Sequence, residues 1–226
     1  MTDYQLTLDC IDTLLNVHAA EPFGVLRESG IQAELRDHLL RAFPDRVSAN
    51  IVQPLSPDRF TWSQPTYTKR VQLEMKVCYP AGGNLRQRAD LVVLRNEVPV
   101  QLTCHGNGPG DVVAALRPQD VAVAVEIKAS PSHTLEQRTK YADDLQRLLV
   151  LNENCGIEGF FVLLDKSHPL YGSVTNPRWT ATTIDMRDWD MGGANISIEM
   201  PDKPAAVVTM CYLCPEGRAT HVFVWK

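Results

Sequence analysis

Residues 121–130 read VAVAVEIKAS. Val121 to Val125 form an unbroken apolar run, the pattern of a strand buried on both faces. Glu126 and Lys128 then interrupt it, two positions apart. Alternate side chains of a strand point to the same face, so a carboxylate and an amine project together from the end of a core strand. Burying either alone is costly. The pair therefore reads as a structural ion pair, as a strand reaching the surface, or as chemistry.

The flanking sequence fixes the fold class. GIEGFFVLLDK, 156–166, is a second buried strand. Between the two, PSHTLEQRTKYADDLQRLLVLN carries a helical face of Leu135, Ala142, Leu145, Leu148 and Leu149, with Ser132 or Thr134 as cap. A strand–helix–strand unit over 121–164 predicts a parallel crossover and hence a mixed α/β sheet. Upstream, 3–18 and 30–43 read as helices, the second with Ile31, Leu35, Leu39 and Phe43 at four-residue steps between Gly30 and Pro44. The Pro-, Ser- and Asp-rich 44–64 read as a loop. VQLEMKV, 71–77, alternates as a half-buried strand, and RADLVVLR, 88–95, is a more buried one. VPVQLTC, 98–104, reads as its continuation, HGNGPG as a loop, and the tail as a β hairpin with CPEGRAT between its strands.

Composition sets the class. The chain has 226 residues, 44% hydrophobic and 22% charged, with a net charge of −5, which is ordinary for a globular domain. No run approaches the roughly 18 apolar residues of a membrane helix, and acids stand at the start where a signal peptide would carry basic residues. The expectation is a soluble cytoplasmic protein without a membrane partner. Its six scattered cysteines read as reduced core thiols. Cys211 and Cys214 have metal-ligand spacing, but structural zinc needs a second pair, and His221 alone is near. His105, His133 and His168 read as surface residues. A local excess of base, seven basic residues against two acids between Arg59 and Arg95, suggests a nucleic-acid face or an ordinary solvated one.

Asp90 opens the apolar run LVVL and is the single acid in RADLVVLR. Two carboxylates on neighbouring strands with a lysine beside them would repel each other unless a cation sat between them. Two hard oxygens plus water are the usual protein share of a Mg²⁺ site. Asp90 followed by Glu126-Ile127-Lys128 resembles the PD-(D/E)XK nuclease superfamily, with Ala89 where the name has proline. Glu34 resembles the extra helix glutamate of many members, and Gln137 with Tyr141 the Gln-X-X-X-Tyr of RecB-like ones.

The resemblance implies a restriction endonuclease-like three-layer α/β/α core with a central mixed sheet, N-terminal helices and a C-terminal β hairpin. That is one domain over 1–226, its nuclease-like core at roughly 30–165 and a β-rich extension after it. It implies metal-dependent phosphodiester hydrolysis, as by a DNA endonuclease of the restriction or repair type. The alternative is a non-catalytic nucleic-acid-binding or interaction module that keeps the fold. Asp90, Glu126 and the backbone oxygen of Ile127 would hold Mg²⁺, or Mn²⁺ as substitute, with Glu34 acting through water. Lys128 would orient the attacking water, and Gln137 and Tyr141 would position a nucleotide. Lys69, Arg70, Arg86 and Arg88 flank the turn into Asp90 and are the expected phosphate contacts. A single site that cuts both strands would favour a homodimer.

Overall fold

The stretch that decides the fold lies mid-sheet. It forms β7 (Val121–Ala129), antiparallel to β4 (Arg88–Leu94) and parallel to β8 (Glu158–Leu164), with α3 (Leu135–Cys155) crossing between β7 and β8. The computed structural model describes residues 1–21, 27–52, 66–77, 88–97, 99–106, 112–129, 135–164, 182–185, 207–214 and 217–224. The other elements are α1 (Asp3–Ala20), α2 (Glu28–Ala42), β1 (Arg46–Val52), β2 (Thr66–Lys69), β3 (Val71–Val77), β5 (Val100–Gly106), β6 (Val112–Leu116), β9 (Thr182–Asp185), β10 (Val207–Cys214) and β11 (Gly217–Val224). The strands form one mixed sheet in the order β2-β1-β5-β6-β3-β4-β7-β8-β10-β11-β9.

Apolar residues of α1 and α2 (Ile11, Leu14, Leu15, Ile31, Leu35, Leu39) pack on one face of the sheet with Val123, Val125 and Ile127. Those of α3 (Leu145, Leu148, Leu149) pack on the other with Val92, Ala124 and Phe161. Helices thus cover both faces, which is why β7 is apolar at consecutive positions. Thr2 caps α1 by accepting from the Gln5 backbone N–H at 3.2 Å. Tyr4 fixes α1 to the sheet by a hydroxyl bond to Thr209 at 2.9 Å and by stacking on Phe160. Among the described residues, no helix is long and apolar enough to cross a membrane.

Three features depart from the sequence reading. The expected loop at 44–64 contains β1, whose Val47 and Ala49 are buried with Ser48 between them; the polar residues hide a short alternating strand. β5 does not continue β4. Instead β5 and β6 make an antiparallel pair inserted between β1 and β3, and the chain then returns to β7. The expected C-terminal hairpin forms as the antiparallel pair β10–β11, and β10 also runs parallel to β8, so the hairpin extends the core sheet. The alternation in β3 also breaks. Val71 and Leu91 lie in the core beneath α1 and α2, whereas Ala89 lies beneath α3 with Met75 against it. The switch falls at Glu74, whose φ of 51° is left-handed backbone that non-glycine residues rarely adopt. Asp90 stands between Ala89 and Leu91 on the paired strand.

Two constraints shape the far end of the sheet. β2 and β3 lie four places apart in strand order, yet Arg70 alone separates them in sequence. Lys69 and Val71 are then at most about 7 Å apart, whereas four flat strand spacings span about 19 Å. This end of the sheet must therefore curl back towards β3. Asp120 closes the base of the β5–β6 excursion. Its backbone oxygen accepts from the Arg95 N–H at 2.9 Å. Its buried carboxylate accepts from the Gln101 N–H at 3.0 Å and from Arg117 at 2.7 and 2.9 Å. Asp120→Ala should lower stability by about 2–3 kcal/mol, because a buried donor loses its acceptor; urea unfolding of variant and parent measures the loss.

Candidate active site

Pairing of β4 with β7 brings the sequence-predicted acids together. Leu91 lies opposite Val125, so Asp90 and Glu126 stand one step further along the same ladder. The Ile127 N–H donates to Asp90 Oδ2 at 2.7 Å, which ties the first carboxylate to the backbone between Glu126 and Lys128. Lys128 Nζ lies 3.8 Å from Glu126 Oε2. Glu126 is 2% exposed, and its Oε1 makes no hydrogen bond.

The helix on that face completes an ionic network. Asp144 Oδ2 lies 3.0 Å from Lys128 Nζ, and Asp144 Oδ1 contacts Arg147 Nη2. Arg147 Nη2 also faces Glu126 Oε1 at 3.5 Å, a looser contact than those it makes elsewhere. Its Nη1 donates to the Arg88 carbonyl at 3.0 Å. Burial pushes the Glu126 carboxyl up to about 8, and Asp90 adds to that, while Arg147 and Lys128 pull the other way. A buried carboxylate beside a second acid is thus poorly compensated even with two cations near.

A third acid reaches the site from the opposite helix layer. Glu28 Oε2 accepts from the Ala129 N–H at 3.4 Å. Burial raises the Glu28 carboxyl; Lys128 lowers it, and Asp90 and Glu74 raise it further. Glu34, the expected helix acid, lies two turns on and binds His18 of α1 at 2.9 Å. The glutamate turned towards the strand ends is therefore Glu28. In the structure it stands in the first turn of α2, where the positive end of the dipole favours an acid; a helix begun at Gly30 leaves it outside.

The expected phosphate contacts separate. Arg88 is half exposed, with Glu74 at 4.0 Å, and Lys69 is exposed on β2. Arg70 is directed inward: it donates to the Leu94 carbonyl at 2.7 Å, pairs with Asp3 and lies over the Phe43 ring. Burial against a ring and two acceptors leaves its guanidinium committed to the core. Arg86 lies outside the described residues, as do the side chains of Gln137 and Tyr141, which α3 carries in its first two turns. His133 and His168 lie outside them too. Cys211 is buried beneath α1 and α2, as a core thiol.

Among the described residues, no group of three or more His, Cys, Asp or Glu side chains is assembled as a metal site. The donors that do meet still suit a hard divalent cation. They are carboxylate oxygens, one of them buried without a hydrogen bond, and Mg²⁺ commonly takes one or two carboxylates and keeps water and phosphate for the rest.

No family model matches the chain, and no curated protein matches it. A solved structure, E. coli MS115-1 NucC in its cAAA-bound form, superposes with a TM-score of 0.29 at 12% identity, over 73% of this chain and 64% of that one. The chain spans a little under two thirds of NucC's length, and so loose a superposition carries no argument about activity.

Proposed function

We propose that the chain is a metal-dependent nuclease of the PD-(D/E)XK type, acting on DNA as an endonuclease. One observation carries the reading: Asp90 and Glu126 stand side by side just past the Leu91–Val125 pair of the β4–β7 ladder, with Lys128 3.8 Å from a buried Glu126 that has an oxygen without a hydrogen bond. The element order α2, β3, β4, β7, α3, β8, with β3, β4 and β7 antiparallel and β8 parallel, supports it. It is the order expected of a restriction endonuclease-like core once the β5–β6 excursion is set aside.

Asp90 and Glu126 would hold Mg²⁺ or Mn²⁺, with the Ile127 backbone oxygen, and Glu28 would hold a water ligand in the role first expected of Glu34. When bound, the cation supplies an acidified water and neutralises phosphate charge. The Ile127 N–H fixes Asp90. Lys128 orients the attacking water and donates to the scissile phosphate as charge develops there. Arg88 offers its exposed guanidinium to an adjacent phosphate.

One observation favours a second reading. Lys128 is already held by Asp144 at 3.0 Å, as it would be in a binding module that keeps the fold without catalysis. Incubation with plasmid, linear duplex, single-stranded DNA and RNA, with and without Mn²⁺, separates the two. Cleavage that needs metal supports the nuclease; retention of nucleic acid without cleavage supports the module. Glu28→Gln should raise the metal concentration for half-maximal rate by about 10- to 100-fold, the usual loss when a group behind a ligand is removed. A metal-response curve that overlays the parent's would return Glu28 to a strand-end cap.

A further inference from the structure

Arg147 faces the hydrogen-bond-free oxygen of Glu126 but is anchored elsewhere. Its guanidinium is held by Asp144 and by the Arg88 carbonyl at 3.0 Å, while Glu126 Oε1 lies at a looser 3.5 Å. A cation that existed to orient Glu126 would hold it at least as closely as its other partners; this one lies nearer to Asp144 and to the Arg88 carbonyl. We infer that Arg147 is a resident counter-cation competing with divalent metal for Glu126, and that Asp144 is the partner to which it retires when metal arrives. The inference rests on Asp90 and Glu126 being the metal-binding pair.

The geometry makes the exchange cheap. A buried guanidinium that lost its sole partner would be costly, but Arg147 keeps two other acceptors when Glu126 is taken. In the metal-free protein its charge offsets part of the repulsion between Glu126 and Asp90. In the loaded protein the same charge stands a few Å from a dication and weakens its binding.

Opposite signs follow from neighbouring substitutions. Arg147→Met keeps much of the side-chain volume and removes the charge, so it should tighten Mn²⁺ binding by about tenfold, the scale of one partly screened charge at this range. Arg147→Lys should stay within about threefold of the parent. Asp144→Asn removes the retreat and should weaken Mn²⁺ binding by a similar factor, but much less in an Arg147→Met background, because most of its effect passes through the guanidinium. A residue that merely positioned Glu126 would act the other way, with Arg147→Met losing about 10- to 100-fold in affinity.

The measurement is Mn²⁺ titration of each full-length variant by electron paramagnetic resonance, without nucleic acid and with circular dichroism to confirm folding. Tighter binding in Arg147→Met, with Asp144→Asn non-additive on it, supports the inference. Unchanged or weaker binding in a folded Arg147→Met overturns it and leaves the metal site standing. Additive effects reduce both residues to distant charges and overturn it too. Should Arg147→Met not fold, Asp144→Asn decides alone, and unchanged Mn²⁺ affinity there overturns the inference. Failure of the parent and of every variant to bind Mn²⁺ sinks the metal site and the inference with it.

Discussion

Lys128→Ala should reduce metal-dependent cleavage by about 10²- to 10⁴-fold, the usual worth of a positioned proton donor or water-orienting group. It should do so while leaving the fold close to the parent's and without weakening Mn²⁺ binding, since Lys128 is a cation 3.8 Å from Glu126 and not a ligand. The structure gives the reason for that separation. Lys128 is 16% exposed and pairs with Asp144, but Asp144 keeps Arg147 when the lysine is removed, so no buried charge is stranded. Asp90→Ala should lose cleavage and metal binding together, since its carboxylate has no such substitute in the proposed site. Single-turnover cleavage rates and a metal titration on the same preparations check both. A Lys128→Ala protein that cuts at the parental rate removes the assigned chemistry, whatever becomes of the fold.

The second large effect is on stability without metal. The Glu126 carboxyl is raised by burial from 4.5 to about 8, so between those pH values the folded chain binds a proton that the unfolded chain has released. Stability of the metal-free protein should therefore fall as pH rises through that window and stay low above it. The full span corresponds to about 5 kcal/mol, and the raised Glu28 carboxyl adds in the same direction. Glu126→Gln removes the penalty while keeping the shape. It should match the parent near pH 4.5 and exceed it progressively towards pH 8, as read by urea unfolding at a series of pH values in chelator. Adding Mg²⁺ at pH 8 should stabilise the parent and leave the glutamine variant unmoved. A parent with a flat profile across the window would mean that Glu126 is charged at little cost.

Much of this arrangement can be read from the chain, and the parts that cannot have physical causes. Val121–Val125 and Phe160–Leu164 are apolar at consecutive positions because helices cover both faces of the sheet, and no soluble surface would spare so many polar residues. Asp90, Glu126 and Lys128 stand out because a charge in such a strand is expensive. Asp144 and Arg147 do not, because α3 is rich in charge and an exposed helix face carries such residues at no cost. Glu28 is hidden by a boundary: a helix begun at Gly30 leaves it outside, whereas α2 starts with it. β2, β6 and β9 are four or five residues long, too short for a period to show. The break at Glu74 is invisible because nothing in VQLEMKV asks for left-handed backbone.

The hydrogen bond from the Arg95 N–H to the Asp120 oxygen has a consequence for how this protein can vary. It makes residues 96–119 a parenthesis: both ends meet at one point of the β4–β7 ladder, so the excursion hangs from a closed neck. The entropy of such a detour grows only with the logarithm of its length, about 0.6 kcal/mol for each doubling. Material can therefore be added beyond the neck, outside the pairings of β5 with β1 and of β6 with β3, while Asp90 and Glu126 keep their places on neighbouring strands. The distance along the chain between the two acids is a poor guide to whether they meet, and the neck is where a graft would be borne most cheaply.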